Sequence, residues 1–221
     1  MEINPVAIFH SPLSEKFGLP RQAGLAESLR GTVTLEPAFR SPDALRGLED
    51  FDYLWLIWDF HLNREDAGGG LTVRPPRLGG NARVGVFASR SPYRPNRLGL
   101  SSVRIESVDA DRGEIHVLGA DLADGTPIYD IKPYVAYADC HPGARSGFVD
   151  GKPWQPLQVV LPRAFFPCFT PDSIDGLFEV LSQDPRPQYQ DAPERIYGLL
   201  YEGRNVKFRV RDGILTVVGV E

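Results

Sequence analysis

The chain has 221 residues, 42% of them hydrophobic and 24% charged, with a formal net charge of −5. That length holds one large or two small domains with a real core. No stretch approaches the ~20 apolar residues that a membrane-crossing helix needs, and no basic start leads into an apolar run, so a cytoplasmic protein with no membrane association is expected. Cys140 and Cys168 stand in unrelated contexts, without a CxxC or a nearby paired His. Both are expected to be reduced thiols, and no metal site is expected.

Short apolar or alternating runs dominate, punctuated by 22 glycines and 20 prolines, the pattern of a β-rich fold. Strands are predicted over Val6–Phe9 and Thr32–Glu36. Ser41-Pro42-Asp43 then supplies an N-cap, a proline at the first helical position and an acidic first turn, opening a short helix that Gly47 would close. The run YLWLIWDF, Tyr53–Phe60, is apolar on both alternating faces as far as Asp59, which predicts a core strand buried from both sides. Further strands are predicted over Val84–Ala88, Val103–Val108, Glu114–Ala120 and Ile128–Pro133, and so many short strands in one stretch predict a barrel or sandwich. His141–Pro156 has no periodicity and reads as a linker over 141–156. It separates a β domain over 1–140 from a small α+β domain over 157–221. In the latter, Leu157–Leu161 reads as a strand, Asp172–Ser182 as a helix, and Val206–Val210 with Ile214–Val218 as a hairpin turned at Asp212-Gly213.

Three blocks are too polar or too rich in Gly and Pro to serve mainly as core: Lys16–Gly24, Val73–Ser101 and Asp121–Tyr134. Gly79-Gly80 and Gly99 permit close backbone approach, while Pro75, Pro76, Pro92 and Pro95 stiffen their loops. Rigid loops on a β scaffold position ligands. No GxGxxG follows a strand, and neither GxxxxGK[ST] nor GxSxG occurs, so a Rossmann cofactor domain is not expected. The net charge speaks against a nucleic-acid binder, but its distribution does not. Arg74, Arg77, Arg83, Arg90, Arg94 and Arg97 follow one another with no Asp or Glu between them, which predicts one basic surface on an acidic body. Individual residues keep rival structural readings. Asp124-Gly125 is also a common turn pair, Arg21 and Arg90 could be solvated or ion-paired, and His61 could merely end an apolar strand.

These blocks, in this order, resemble the TrmO family, also called the TsaA-like or YaeB-like proteins. The resemblance runs through Ser11-Pro12, KFGLPRQAGL from Lys16, GLEDFDYLWLIWDFH over Gly47–His61, VRPPRLGGNARVGVFASRSPYRPNRLGLS from Val73, and DLADGTPIYDIKPY from Asp121, with a weaker echo at QDPRPQY over Gln183–Tyr189. Ser89 stands where many members have Thr, and neither 138–155 nor much of the C-terminal region is anchored by a motif.

The resemblance implies a compact single-sheet β-barrel, a homodimer, S-adenosyl-L-methionine as methyl donor, and methylation of N6 of threonylcarbamoyladenosine next to the tRNA anticodon. Carried over motif by motif, the cofactor would lie along Arg21, Gln22, Ala23 and Gly24, beside Phe60, His61 and Arg90, against Leu100, Ser101 and Ser102, and over Asp124, Gly125, Thr126 and Pro127. The N6 lone pair is delocalised into a urea-like group, so a base or strong acceptor would help it react. Asp130 is the first candidate, although it could equally pair with Lys132 or an arginine of the cluster, and His61 is the second, with Asn96 or Tyr134 to orient the ureido group; in-line alignment could supply much of the rate instead. Arg74, Arg77, Arg83, Arg94 and Arg97 would grip RNA phosphates. A non-catalytic RNA-binding barrel and a methyltransferase acting on another nucleoside or small molecule are the competing readings. The small-residue loops PRQAG, LGLSS and DGTP disfavour the first, because a phosphate grip needs cations rather than such loops.

Overall fold

The structure is a computed structural model that describes residues 2–63, 70–75, 82–151, 155–186 and 192–221. In chain order its elements are β1 (Ala7–His10), β2 (Arg30–Leu35), α1 (Pro42–Leu45), β3 (Tyr53–Asp59), β4 (Thr72–Val73), β5 (Val84–Gly85), β6 (Leu98–Asp109), β7 (Glu114–Leu118) and β8 (Thr126–Pro133). There follow α2 (Ala136–Asp139), β9 (Gln158–Val160), α3 (Pro171–Ser182), β10 (Tyr197–Tyr201), β11 (Arg204–Arg211) and β12 (Ile214–Val220). Short 3-10 turns fill several of the gaps.

Six strands close into one barrel in the order β1-β2-β7-β6-β3-β8, every neighbour antiparallel. Closure removes the unpaired edges that an open sheet would leave. Alternation fills the interior: Phe9, Val33, Leu54, Leu56, Trp58, Val103, Ile115, Val117 and Ile128 form one buried cluster. The single-sheet barrel read from the sequence is therefore the observed fold.

Three elements differ from expectation. β3 is not buried from both sides, because a barrel strand has one face inside and one outside. Leu54, Leu56 and Trp58 point in, whereas Tyr53, Trp55, Ile57 and Asp59 line an outer wall that is only part covered. On that wall the Trp55 ring lies 5.8 Å from the Tyr134 ring, and its indole Nε1 donates to Asp139 at 3.0 Å. The apolar run at Val84–Ala88 gives only two strand residues, paired with β4 outside the barrel, before a 3-10 turn buries Val86 and leaves Phe87 76% exposed. β6 begins five residues earlier than the strand expected at Val103, since Gly99 lies against Trp58, where a Cβ would stand 2.3 Å from the indole. Helix α1 has the expected start, with the Ser41 side chain accepting from the Asp43 amide at 3.3 Å.

A second sheet, β10-β11-β12-β9, carries α3 and supplies the α+β part of the chain. Its β11–β12 hairpin turns at Asp212 and Gly213, both at positive φ, as the sequence suggested, whereas YGLLY in β10 was not anticipated. The second core also draws on the first half of the chain. Leu13, Ala26 and Leu29, from the connection between β1 and β2, are buried with Leu177, Val180, Leu181, Leu199, Tyr201 and Phe208. Polar bonds reinforce the junction: the Ser28 amide and hydroxyl donate to Glu179 at 2.7 and 2.8 Å, Gln183 Nε2 donates to the Leu25 carbonyl, and the Glu202 amide to the Pro12 carbonyl. No helix among the described residues is long and apolar enough to cross a membrane.

Candidate functional site

The strand register gathers the site. β1 ends, β2 begins, β3 ends, β6 begins, β7 ends and β8 begins at the same mouth of the barrel, fixed by the pairings His10 with Thr32, Arg30 with Leu118, and Asp59 with Leu98. Three connections therefore meet there: 11–29, 60–97 and 119–125. They carry Arg21–Gly24, His61 and Arg90, and Asp124-Gly125, residues far apart in sequence.

Hydrogen bonds tie these connections together. The Gly24 amide donates to the Gly119 carbonyl at 2.8 Å, the Asp124 amide to the Leu13 carbonyl at 2.8 Å, and the Gly125 amide to the Phe9 carbonyl at 2.9 Å. Arg90 Nη1 donates to the Gln22 side-chain oxygen. Asp124 Oδ1 accepts from the Ser11 amide at 3.1 Å and lies 3.4 Å from His10 Nδ1, so this carboxylate also braces its own turn. Gly24 and Gly125 both adopt positive φ, and a Cβ at either would meet nothing within 4 Å. Backbone, rather than side chain, thus faces open space at two points of the mouth.

His61 follows β3 at this mouth. Thr126, fully buried, donates its hydroxyl to the Ala123 carbonyl at 2.7 Å, so its oxygen is left to accept from His61 Nδ1 at 3.3 Å. That direction places the ring proton on Nδ1 and leaves Nε2 as the lone-pair nitrogen. Thr126 accordingly orients His61 rather than facing solvent. Phe60 packs edge-on against Trp58, with ring centroids 4.3 Å apart. Asn63, two residues beyond His61, is buried, and its Nδ2 has no hydrogen-bond partner among the described residues.

A second network runs through the barrel wall. Trp58 Nε1 donates to Ser101 Oγ at 3.0 Å, and Ser101 Oγ donates to Asp121 Oδ1 at 2.6 Å. Burial pushes the Asp121 carboxyl above the ordinary carboxylate value, opposed by the Ser101 bond, a bond from its own amide, the charge of Arg90 and a bond from the Ala23 amide. Neither Asp121 nor Asn63 was singled out from the sequence. Asp121 opens a block whose later DGTP reads as a turn, and Asn63 carries no spacing signal at all.

Other candidates lie elsewhere. Strand alternation turns Ser101 inward but Leu100, 57% exposed, and Ser102 outward, so the three cannot line one face. Pro127 pairs with Ile8 on β1 beside Thr126. Asp130 faces the outer wall opposite Ile57, accepts from the Ile131 amide at 3.0 Å and pairs with Lys132 at 3.0 Å. Tyr134 ends β8 at the opposite mouth. Within a single chain neither reaches the gathered loops.

Of the arginines, Arg74, Arg83 and Arg90 are exposed, Arg94 donates to the Ser89 carbonyl at 3.3 Å, and Arg97, at φ 47°, lies 3.9 Å from Asp59. Arg77 lies outside the described residues. Asn96 is exposed on the same connection, which also presents Phe87 and Tyr93 to solvent. Beside the mouth a cleft of about 410 Å³ opens between the lobes, lined by Lys16, Arg21, Gln183, Asp184 and Arg186 among others. No three His, Cys, Asp or Glu side chains among the described residues gather as a metal site.

Residues 8–140 match the family model of the tRNA-methyltransferase O N-terminal domain, and residues 174–221 match that of the TrmO C-terminal domain. The chain belongs to the TrmO family. Among its TrmO relatives is the tRNA (adenine(37)-N6)-methyltransferase of Escherichia coli K12, 39% identical over 236 aligned residues that cover 100% of this chain and 97% of that one. A putative S-adenosylmethionine-dependent methyltransferase, RcsF, of Pseudomonas aeruginosa is 42% identical across 89% of this chain and 87% of its own length. The crystal structure of TrmO from Pseudomonas aeruginosa superposes with a TM-score of 0.80 at 32% identity, covering 100% of this chain and 98% of that one.

Proposed function

We propose that this TrmO-family chain is an S-adenosylmethionine-dependent methyltransferase that methylates N6 of threonylcarbamoyladenosine next to the anticodon of tRNA. The observation that carries the reading is the convergence of Arg21–Gly24, His61, Arg90 and Asp124–Thr126 at one barrel mouth. The names of the Escherichia coli and Pseudomonas aeruginosa relatives agree with it.

The residues present suit this cofactor. It carries an adenine, a ribose diol, a cationic sulfonium and an amino acid. The mouth offers backbone facing open space at Gly24 and Gly125, a carboxylate at Asp124, an aromatic ring at Phe60, and an arginine at Arg90 for the amino-acid carboxylate. When bound, the cofactor supplies an electrophilic methyl group. His61 Nε2 is the group that takes the N6 proton, since its lone pair is left free by the Thr126 contact. This choice replaces Asp130, whose oxygens are engaged by the Ile131 amide and Lys132 on the outer wall. Arg74 and Arg83 meet RNA phosphates, and Phe87 and Tyr93 offer faces on which splayed anticodon bases stack.

The functional unit is a cytoplasmic homodimer. Its partner covers the outer wall of Trp55, Ile57 and Leu100, where Asp130, Ser102 and Tyr134 also lie.

The deciding experiment incubates the pure protein with labelled S-adenosylmethionine and tRNA bearing or lacking threonylcarbamoyladenosine, followed by nucleoside mass spectrometry. Label on the threonylcarbamoylated nucleoside alone is the expected result. Binding of tRNA without any binding of S-adenosylmethionine would overturn the reading in favour of a non-catalytic RNA-binding barrel.

A further inference from the structure

β6 outruns its neighbour. The β6–β7 ladder stops at Arg104 with Leu118, yet β6 continues to Leu98, so its first residues project toward the mouth with no strand beside them on that edge. The chain after β7 passes along this edge, and there the contact is made by side chains: Ser101 Oγ donates to Asp121 Oδ1 at 2.6 Å. Arg90 and the Ala23 amide also favour the charged form of this carboxylate, each less than the Ser101 bond does. One residue on, the Gly24 amide is held by the Gly119 carbonyl, and Arg90 also holds the Gln22 side chain. Asp121 thus ties the connection after β7 to the projecting end of β6, beside the point where Gly119 holds Gly24 and Arg90 holds Gln22.

The directions of these bonds fix its state. An indole nitrogen can only donate, so Ser101 Oγ accepts from Trp58 and must pass its own hydrogen onward to Asp121. The group that suits the arriving Ser101 hydroxyl, with Arg90 and the Ala23 amide also favouring its charged form, is a carboxylate, which only accepts. An asparagine keeps an acceptor for Ser101 but has no charge for Arg90 and Ala23 to act on.

We propose that Asp121 is the positioning residue of the cofactor site, its carboxylate setting the Arg21–Gly24 loop against the projecting end of β6 in the shape that receives S-adenosylmethionine. The proposal rests on the methyltransferase reading above. A purely structural role predicts something else, because burial works against the ionised form. If the fold needed only a spacer there, neutralising the group would relieve that cost and leave ligand binding alone.

The test compares Asp121→Asn and Ser101→Ala with the wild-type chain by thermal unfolding without ligand, by calorimetric titration with S-adenosylmethionine, and by kcat and KM on threonylcarbamoylated tRNA. Asp121→Asn is expected to melt within a few degrees of wild type, or above it, yet to bind cofactor about tenfold more weakly, the equivalent of one charge-assisted hydrogen bond. KM for the cofactor should rise with it while kcat changes much less. Ser101→Ala should show the same pattern more weakly, and it decides the matter if Asp121→Asn does not fold. Cofactor affinities within about twofold of wild type in every folded variant would overturn the proposal. So would a kcat loss with affinity unchanged. A wild-type chain that binds no S-adenosylmethionine would overturn the methyltransferase reading itself, and this proposal with it.

Discussion

Hydrogen-bond direction separates the two candidate bases. His61 has its Nδ1 proton directed to Thr126 and its Nε2 lone pair left over, whereas Asp130 spends both oxygens on local partners. Under single-turnover conditions with saturating cofactor, His61→Ala should lower the rate by about 10²-fold or more, the usual share of a general base, while Asp130→Asn stays within a few-fold of wild type. Equal losses would point instead to a partner subunit's Asp130 in the site. A second prediction follows from Asp121. Its folded-state pKa is raised, mainly by burial, so between the unfolded and folded values the native state holds more protons than the unfolded one. The carboxyl therefore withdraws stability as pH rises from about 4 through its raised value. The stability of Asp121→Asn relative to wild type, followed by denaturant titration across this range, should climb with pH and then level off. A flat difference would mean that burial does not govern this group. Neither the His61 tautomer nor the buried bond between Ser101 and Asp121 was legible beforehand. Sequence names residue types, but donor directions arise only when Thr126, Ala123 and His61, or Trp58 and Ser101, are brought together.

Among the elements, the barrel strands were legible because each is a short alternating run bounded by Gly or Pro. The exceptions have physical causes. Tyr53–Phe60 reads as doubly buried because its outward residues, Trp55 and Ile57, are as apolar as its inward ones. Val84–Ala88 has strand-like composition, but the barrel is closed without it. The early start of β6 was hidden by Gly99, which composition assigns to a loop and the structure places under an indole ring. Gly99→Ala tests that contact. A methyl 2.3 Å from the ring must displace Trp58, costing about 1–3 kcal/mol of stability and disturbing the bond to Ser101. A melting temperature equal to wild type would show that Trp58 shifts freely. On the long β3–β6 connection, Phe87 lies 76% exposed beside exposed arginines. If it stacks on a base, Phe87→Ala should weaken tRNA binding by about 1–3 kcal/mol and leave S-adenosylmethionine affinity unchanged. An effect on the cofactor alone would place this ring in the other pocket.

Over the whole molecule, the two lobes were legible as separate patterns, but their dependence on one another was not. Nothing in Leu13, Ala26 or Leu29 announces that they complete a core built mostly from residues more than a hundred positions later. The motif between them, Arg21–Gly24, belongs to the barrel mouth, yet both its flanks are anchored under α3 by apolar contact and by the Ser28–Glu179 bonds. Anchoring of this kind has a thermodynamic return. Whatever steadies the loop must also steady what holds the loop, by the reciprocity that governs any two coupled equilibria. A small molecule at the barrel mouth should therefore slow amide hydrogen exchange not only around Gly24 but in α3 and β10, elements of the other lobe. Protection confined to the mouth would mean that the lobes open independently. Slowed exchange in both would make the C-terminal lobe a thermodynamic reporter of an event that takes place wholly in the other half of the chain.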